Sequence, residues 1–176
     1  NNASIASYPV IAADNSGISV ADAAAADLLA QEVNPGVVVE MPVAVGFCMF
    51  VPRYAWRQVG PFDADRYGKG YGEEVDWCLR ASQLGLTHLL AADTFVHHAG
   101  EVSFGASGAG RRQAAQQDID SRYPQFAETV QAFLRADPLR PFRARLDLAR
   151  YRASPRAKLL FVSHAWEGGV DRHLRD

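Results

Sequence analysis

The hydrophobic pattern changes period several times along the chain, and each change predicts a helix or a strand. An alanine- and leucine-rich run at 19–33 predicts a helix, with Ser19 as its N-cap and Asp22 three residues later. Two apolar, mostly β-branched runs at 37–41 and 44–51 predict strands, and the second is expected to be fully buried.

The rest of the pattern is mainly helical. A short helix is expected at 53–60, a loop at 62–72, and a longer helix at 73–84 that ends at Gly85. Residues 87–98 predict two short strands. Three further helices are predicted, at 108–122, 124–135 and 138–150.

The last stretch, "KLLFVSHAWEGGVDRHLRD" at 158–176, has a different character from the segment before it. It predicts a buried strand, a Gly-Gly turn and the first residues of a helix. Because a unit of this size cannot bury its own apolar face, we expect it to open a second domain.

Composition and charge place the chain among globular proteins. Its 176 residues suffice for one domain with a core, and its net charge of −2 implies neither nucleic acid nor membrane as a partner. Residues 1–110 carry 12 acids and 5 bases, a balance of −7, whereas 111–176 carry 8 acids and 13 bases, a balance of +5. With no apolar run of membrane-spanning length and no signal peptide, the sequence predicts a cytoplasmic protein.

The basic segment at 139–158 has two interpretations. Leu139, Phe142, Leu146 and Ala149 recur at helical spacing among arginines. Such a helix could lie on the inner face of a membrane as a peripheral contact. It could equally be a linker helix that packs on its own domain.

An acidic cluster follows a glycine-rich loop in "GKGYGEEVDWCLRASQLG", residues 68–85. The simplest interpretation is helix capping, since Glu73, Glu74 and Asp76 fall in a first helical turn, where acids interact favourably with the helix dipole. The glycines favour a second interpretation, because they let a backbone approach a ligand closely. A carboxylate held ionised by the helix terminus could then take a proton from a hydroxyl group.

A third interpretation of the cluster is a calcium loop. Asp63, Asp65, Gly68 and Glu74 occupy positions 1, 3, 6 and 12 of an EF-hand pattern. Position 5 is Tyr67, which offers no carboxylate, and a Gly-Pro pair interrupts the helix that should enter the loop.

Two adjacent histidines form the other candidate cluster, in "TFVHHAGEVSF" at 94–104. If the segment is a strand, His97 and His98 point to opposite faces, so at most one of them faces a given site. A neutral imidazole can ligate a metal, but one histidine cannot hold a metal by itself.

These motifs together resemble the family-2 glycosyltransferases, which are inverting enzymes with the GT-A fold. The resemblance covers about residues 1–105 and lies in four segments that have the order and spacing of the family: "NNASIASYP", "VGFCMFVPR", "VGPFDADRYGKGYGEEVDWCLRA" and "DTFVHHAGEVSFG". Family members transfer a sugar from a nucleotide-diphosphate sugar to an acceptor hydroxyl.

The resemblance implies roles for individual residues. Glu74 matches the catalytic base, although the family more often has Asp there, and His98 matches a metal ligand in the pattern Val-x-His-x-Gly. Residues 46–51 match a strand beneath the site. The residues expected to line the acceptor side are Gly72, Glu73, Asp76 and Trp77.

The implied fold is α/β, the C-terminal half of a GT-A domain with a mixed sheet and flanking helices. Residues 1–107 would form this acceptor-side half, 108–157 a helical extension and basic linker, and 158–176 the start of a GT-B-like domain. The expected cofactor is Mg²⁺ or Mn²⁺. Its site would be completed by the Asp-x-Asp motif of the family's nucleotide-binding half, and this chain does not contain that half.

The resemblance predicts that the whole protein acts in polysaccharide or glycan biosynthesis, with a nucleotide-sugar donor and a glycan acceptor. This chain alone is expected to be inactive. The alternative is a non-catalytic module of the same fold that binds carbohydrate or serves as a scaffold.

Overall fold

The computed structural model describes residues 4–13, 18–68, 71–98 and 108–157. In this part the chain is a mixed α/β protein, mostly helical, and none of its helices is long and apolar enough to cross a membrane. The elements are α1 (Val20–Val33), β1 (Val38–Met41), α2 (Arg53–Val59), α3 (Ala64–Tyr67), α4 (Glu73–Gln83), β2 (His88–Ala91), α5 (Gly108–Arg122), α6 (Phe126–Ala136) and α7 (Arg140–Ala153).

The sheet consists of β1 and β2, which pair antiparallel so that Val38 faces Ala91 and Met41 faces His88. The predicted mixed sheet is therefore not what the described residues form. The predicted strand at 44–51 is also wrong, because this segment contains a 3-10 turn at Gly46–Cys48 and pairs with neither strand.

The prediction that this segment is fully buried was also wrong, since Phe50 is 89% exposed. Apolar, β-branched composition favours an extended backbone, but a strand forms only where a neighbour accepts its hydrogen bonds. The second strand expected within 87–98 is likewise absent, because β2 ends at Ala91 and residues 94–98 are irregular.

Most predicted helices are confirmed, with ends that move by a few residues. Ser19 caps α1 by accepting a hydrogen bond from the Asp22 backbone N–H, which the sequence predicted. Gly85 lies two residues past the end of α4, directly after the C-cap Leu84, with the positive φ of 79° that glycine tolerates. The loop expected at 62–72 contains the short helix α3.

The main core lies where α4 packs between the sheet and the later helices. Trp77, Cys78 and Ala81 of α4 are buried against residues of β1 and α6. The other buried residues of this core are Ile5, Met41, Val43, Ala55, Phe133 and Leu139. The predicted extension at 108–157 thus contributes to the same core as the sheet, whereas the predicted unit at 158–176 lies outside the described residues.

Candidate active site

The turn at Gly46–Cys48 lies directly against the side chain of Glu74. A Cβ atom at Gly46 would stand 3.1 Å from the Glu74 Cγ and 3.3 Å from its Cβ. Contacts this short would force the glutamate side chain to move. Glycine at position 46 therefore allows the turn to approach the carboxylate-bearing chain closely.

The same turn also contacts His98. The imidazole of His98 stacks on the ring of Phe47, with 4.5 Å between ring centroids and 26° between their planes. Because Gly46 and Phe47 are consecutive, one turn connects the proposed base, Glu74, to the proposed metal ligand. The sequence predicted both residues from motifs that stand 24 positions apart, and the structure brings them to the two sides of one short segment.

Burial raises the pKa of the Glu74 carboxyl above its ordinary value, and the neighbouring charge of Glu73 raises it further. Backbone hydrogen bonds from Gly72, Glu74 and Val75 act in the opposite direction but do not outweigh burial. The helix terminus was expected to keep Glu74 ionised, and burial opposes that effect by raising the pKa of the carboxyl. A carboxylate with a raised pKa is a stronger proton acceptor once it has ionised.

Gly72 precedes α4 in the left-handed conformation, with φ of 91°. A Cβ there would lie 3.0 Å from the Tyr67 ring and 3.1 Å from the Ala115 Cβ, so packing and backbone both require glycine. Its neighbour Glu73 has one carboxylate oxygen, Oε2, that is buried without a hydrogen-bond partner.

Asp76 faces away from this surface and is fully buried. Its two carboxylate oxygens accept hydrogen bonds from Arg80 at 2.8 Å, from Arg122 at 2.5 Å and from the Tyr123 hydroxyl at 2.9 Å. The carboxylate therefore ties α4 to the end of α5. Since it has no exposed surface for a substrate, we interpret Asp76 as a framework residue.

Trp77 is also part of the framework, because only 4% of it is exposed. Its indole N–H donates to the Gly60 carbonyl at 2.8 Å, and its ring lies among those of Trp56 and Phe62. Trp77 was expected to line the acceptor side, but its ring packs against other aromatic side chains instead.

A polar network extends from Asp76 to residues that sequence reasoning missed. Arg122 also donates to the Tyr67 hydroxyl at 3.1 Å, and that hydroxyl donates to Asp118 at 2.7 Å. Asp118 is paired with Arg66 as well, and the hydrogen bond from Tyr67 is the main reason that its pKa lies below the ordinary value. These partners come from helices about 50 positions apart, so no local spacing in the sequence indicates them.

In the described part of the chain, no three His, Cys, Asp or Glu side chains group together. The calcium-loop interpretation is therefore wrong for these residues. Asp63 instead caps α3 by accepting the backbone N–H of Arg66, whose guanidinium also lies 3.5 Å from the Asp63 carboxylate. His98 alone does not make a metal site.

The basic helix α7 packs on the protein with its apolar side. Leu139, just before the helix, and Leu146 within it are 4% and 5% exposed. Phe142 is half-buried beneath the guanidinium of Arg145. The exposed surface of residues 139–157 that a membrane could meet is consequently formed mainly by arginines, together with Leu148 and Tyr151.

Comparison with protein-family models, with curated proteins and with solved structures gave no match for this chain. The resemblance to glycosyltransferases therefore rests on the four sequence segments.

Proposed function

We propose that this chain is the acceptor-side part of an inverting glycosyltransferase and that Glu74 is its catalytic base. The observation that carries the proposal is the position of Glu74, at the start of α4, half-buried, with a raised pKa and pressed against Gly46. A general base works best when its pKa lies nearer the working pH than that of a free carboxylate.

In the proposed reaction, the Glu74 carboxylate accepts the proton of an acceptor hydroxyl as its oxygen attacks the anomeric carbon of the donor. The new carbon–oxygen bond forms on the face opposite the diphosphate, the bond to the diphosphate breaks, and the configuration inverts. The carboxylate of the neighbouring Glu73 would orient the hydroxyl by accepting a second hydrogen bond. Glycine at position 46 lets the turn pack directly against the Glu74 side chain.

The metal that the family uses does not fit the described residues of this chain by themselves, since His98 is a single ligand. No step of the mechanism is therefore assigned to it. The membrane contact through 139–158 likewise remains a proposal, and it rests on the charge of the α7 arginines because the apolar side of that helix is packed inward.

The rival proposal is a module that binds carbohydrate or a partner without turnover. The two differ in what the purified proteins do with a panel of nucleotide-diphosphate sugars. The full-length protein should release nucleoside diphosphate from its donor, and Glu74→Gln should release it far more slowly. Equal release by these two proteins, or turnover by the 176-residue chain alone, would contradict the proposal.

A further inference from the structure

Gly72 is the residue through which the chain enters α4, and its backbone is joined to Glu74. Its carbonyl accepts the first helical hydrogen bond of α4, from the Asp76 N–H at 2.8 Å. Its own N–H is one of three backbone groups whose hydrogen bonds lower the pKa of the Glu74 carboxyl. A displacement of Gly72 would therefore disturb both the start of the helix and a hydrogen bond of the carboxylate.

The ring of Tyr67, the last residue of α3, lies directly against Gly72. A Cβ atom at position 72 would stand 3.0 Å from the ring carbon Cδ1 and 3.1 Å from Cε1. It would also stand 3.1 Å from the Cβ of Ala115 on α5. Gly72 thus lies between the edge of an aromatic ring and a methyl group, and only 8% of Tyr67 is exposed.

One face of α5 holds this arrangement, because Ala115, Asp118 and Arg122 follow at helical spacing. The Tyr67 hydroxyl donates to the Asp118 carboxylate at 2.7 Å and accepts from the Arg122 guanidinium at 3.1 Å. The hydroxyl therefore uses its donor and an acceptor site at once. The ring cannot move away from Gly72 without weakening one of these two bonds.

Arg122 closes the network onto α4, since it also pairs with the buried carboxylate of Asp76. The contacts run from α4 through Arg122 and the Tyr67 hydroxyl, and they return to α4 where the Tyr67 ring meets Gly72. A polar network whose members are paired favours one fixed geometry. Both ends of the first turn of α4 are thereby held by the same set of side chains.

We propose that Tyr67 is a positioning residue for the Glu74 carboxylate, because its ring holds Gly72 and Gly72 sets where the carboxylate lies at the start of α4. Tyr67 is not a catalytic residue, since it acts only through Gly72. The consequence for sugar transfer rests on the proposed function, whereas the effect on the carboxylate does not.

The pKa of Glu74 in the 176-residue chain reports this positioning without an assay of transfer. It is measured by pH titration of the side-chain carboxyl carbon in NMR spectra, which is assigned as the signal that Glu74→Gln removes. In Tyr67→Leu the ring is lost, so Gly72 should relax into the space and its N–H should leave the carboxylate. The pKa of Glu74 should then rise further. Tyr67→Phe keeps the ring against Gly72 and should retain a pKa close to the original.

Tyr123→Leu is the matched control, because it makes the same chemical change in the same network. The Tyr123 hydroxyl donates to Asp76 at 2.9 Å, but no atom of Tyr123 is among the three nearest to a Cβ at position 72. Tyr123→Leu should lower stability in urea as Tyr67→Leu does, and it should leave the pKa of Glu74 unchanged. A merely structural role of Tyr67 predicts that the two variants behave alike.

A second pair of variants approaches the contact from its other side and replaces Tyr67→Leu if that variant does not fold. Gly72→Ala and Gly85→Ala both place alanine at a positive φ, but only the Cβ at position 72 meets the Tyr67 ring. Gly72→Ala should therefore raise the pKa of Glu74, and Gly85→Ala should not.

Transfer by the full-length protein separates this inference from the proposed function. Tyr67→Leu should slow transfer about 10-fold and leave donor affinity unchanged, because small displacements of a reacting group are costly. In a protein that already carries Glu74→Gln, Tyr67→Leu should slow transfer no further. Near-normal transfer by Glu74→Gln would overturn the proposed function, whereas the positioning of the carboxylate is decided by its pKa.

The inference is overturned if Tyr67→Leu leaves the pKa of Glu74 at its original value, or if Tyr123→Leu raises that pKa equally. It is also overturned if Tyr67→Leu slows transfer as strongly in the Glu74→Gln background as in the original protein. If Tyr67→Leu does not fold, equal pKa values of Glu74 in Gly72→Ala and Gly85→Ala overturn it.

Discussion

The imidazole of His98 lies nearly parallel to the ring of Phe47, with centroids 4.5 Å apart. Phe47 follows Gly46, whose backbone lies so close to the Glu74 side chain that a Cβ there would crowd it, so two adjacent residues of one turn lie against His98 and Glu74. The turn therefore fixes the positions of the two residues on which the proposed chemistry depends.

Removing the aromatic ring of Phe47 should abolish its stack with His98 without unfolding the protein, because Phe47 is 39% exposed. In Phe47→Leu, the ring protons of His98 should move downfield in proton NMR spectra as the ring-current shielding is lost. His97 serves as the internal control and should shift much less. Equal shifts of the two histidines would contradict the stack.

Glu74→Gln should change the pH dependence of stability in a direction that follows from the raised pKa. At low pH the carboxyl is protonated in both states, so burial carries no charge penalty. As the pH rises above about 4.3, the unfolded chain ionises first and the free energy of unfolding falls until the folded state ionises too. The free energy of unfolding of Glu74→Gln should not show this fall, because glutamine does not ionise.

Thermal unfolding at several pH values tests this expectation. The melting temperature of Glu74→Gln should exceed that of the original chain at pH about 7, and the gap should close at pH about 3. Glu32→Gln, an exposed change on α1, is the control and should show no such gap. If the melting temperature of Glu74→Gln instead gained on that of the original chain as the pH fell, the pKa of Glu74 would be depressed and the prediction would be wrong.

Asp76→Asn should be strongly destabilising. The substitution keeps the shape of the side chain but leaves Arg80 and Arg122 without the charge that they share. Breaking a buried ion pair typically costs about 3–5 kcal/mol, and the partial exposure of the two arginines favours the lower end. Urea unfolding should show this loss, whereas Asp118→Asn, in a more exposed pair, should cost about 1 kcal/mol or less.

Gly72→Ala separates backbone strain from crowding when it is compared with Gly85→Ala. Both glycines have positive φ, 91° and 79°, so both alanines incur a strain of about 1–2 kcal/mol. Only the Cβ at position 72 meets neighbours, Tyr67 and Ala115, which should add about 1–3 kcal/mol. Equal losses in urea unfolding would mean that the contact around Gly72 relaxes freely.

Local signals in the sequence predicted the helices well, because caps and glycine ends act within a few residues. The Ser19 cap and the end of α4 near Gly85 are examples. Local signals could not decide whether residues 44–51 form a strand, since apolar composition does not reveal whether a neighbouring strand is present. The same limit applies to the Asp76 partners on α5.

The same limit on local sequence signals applies to the candidate site. Glu74 and Asp76 both lie in the first turn of α4, and the motif placed both at the substrate. Residues two positions apart on a helix are separated by about 200° around its axis, so their side chains face opposite sides. The structure shows which side is buried, namely that of Asp76, and a motif without structure could not distinguish the two.

The most direct test of the central claim is the sugar-transfer rate of Glu74→Gln in the full-length protein, measured beside Glu73→Gln and with donor affinity as the control. If Glu74 is the base, Glu74→Gln should lower the rate about 10²–10⁴-fold and leave donor binding nearly unchanged. Glu73→Gln should reduce the rate less, because that residue only orients the acceptor. Near-normal transfer by Glu74→Gln would contradict the assignment of Glu74 as the catalytic base.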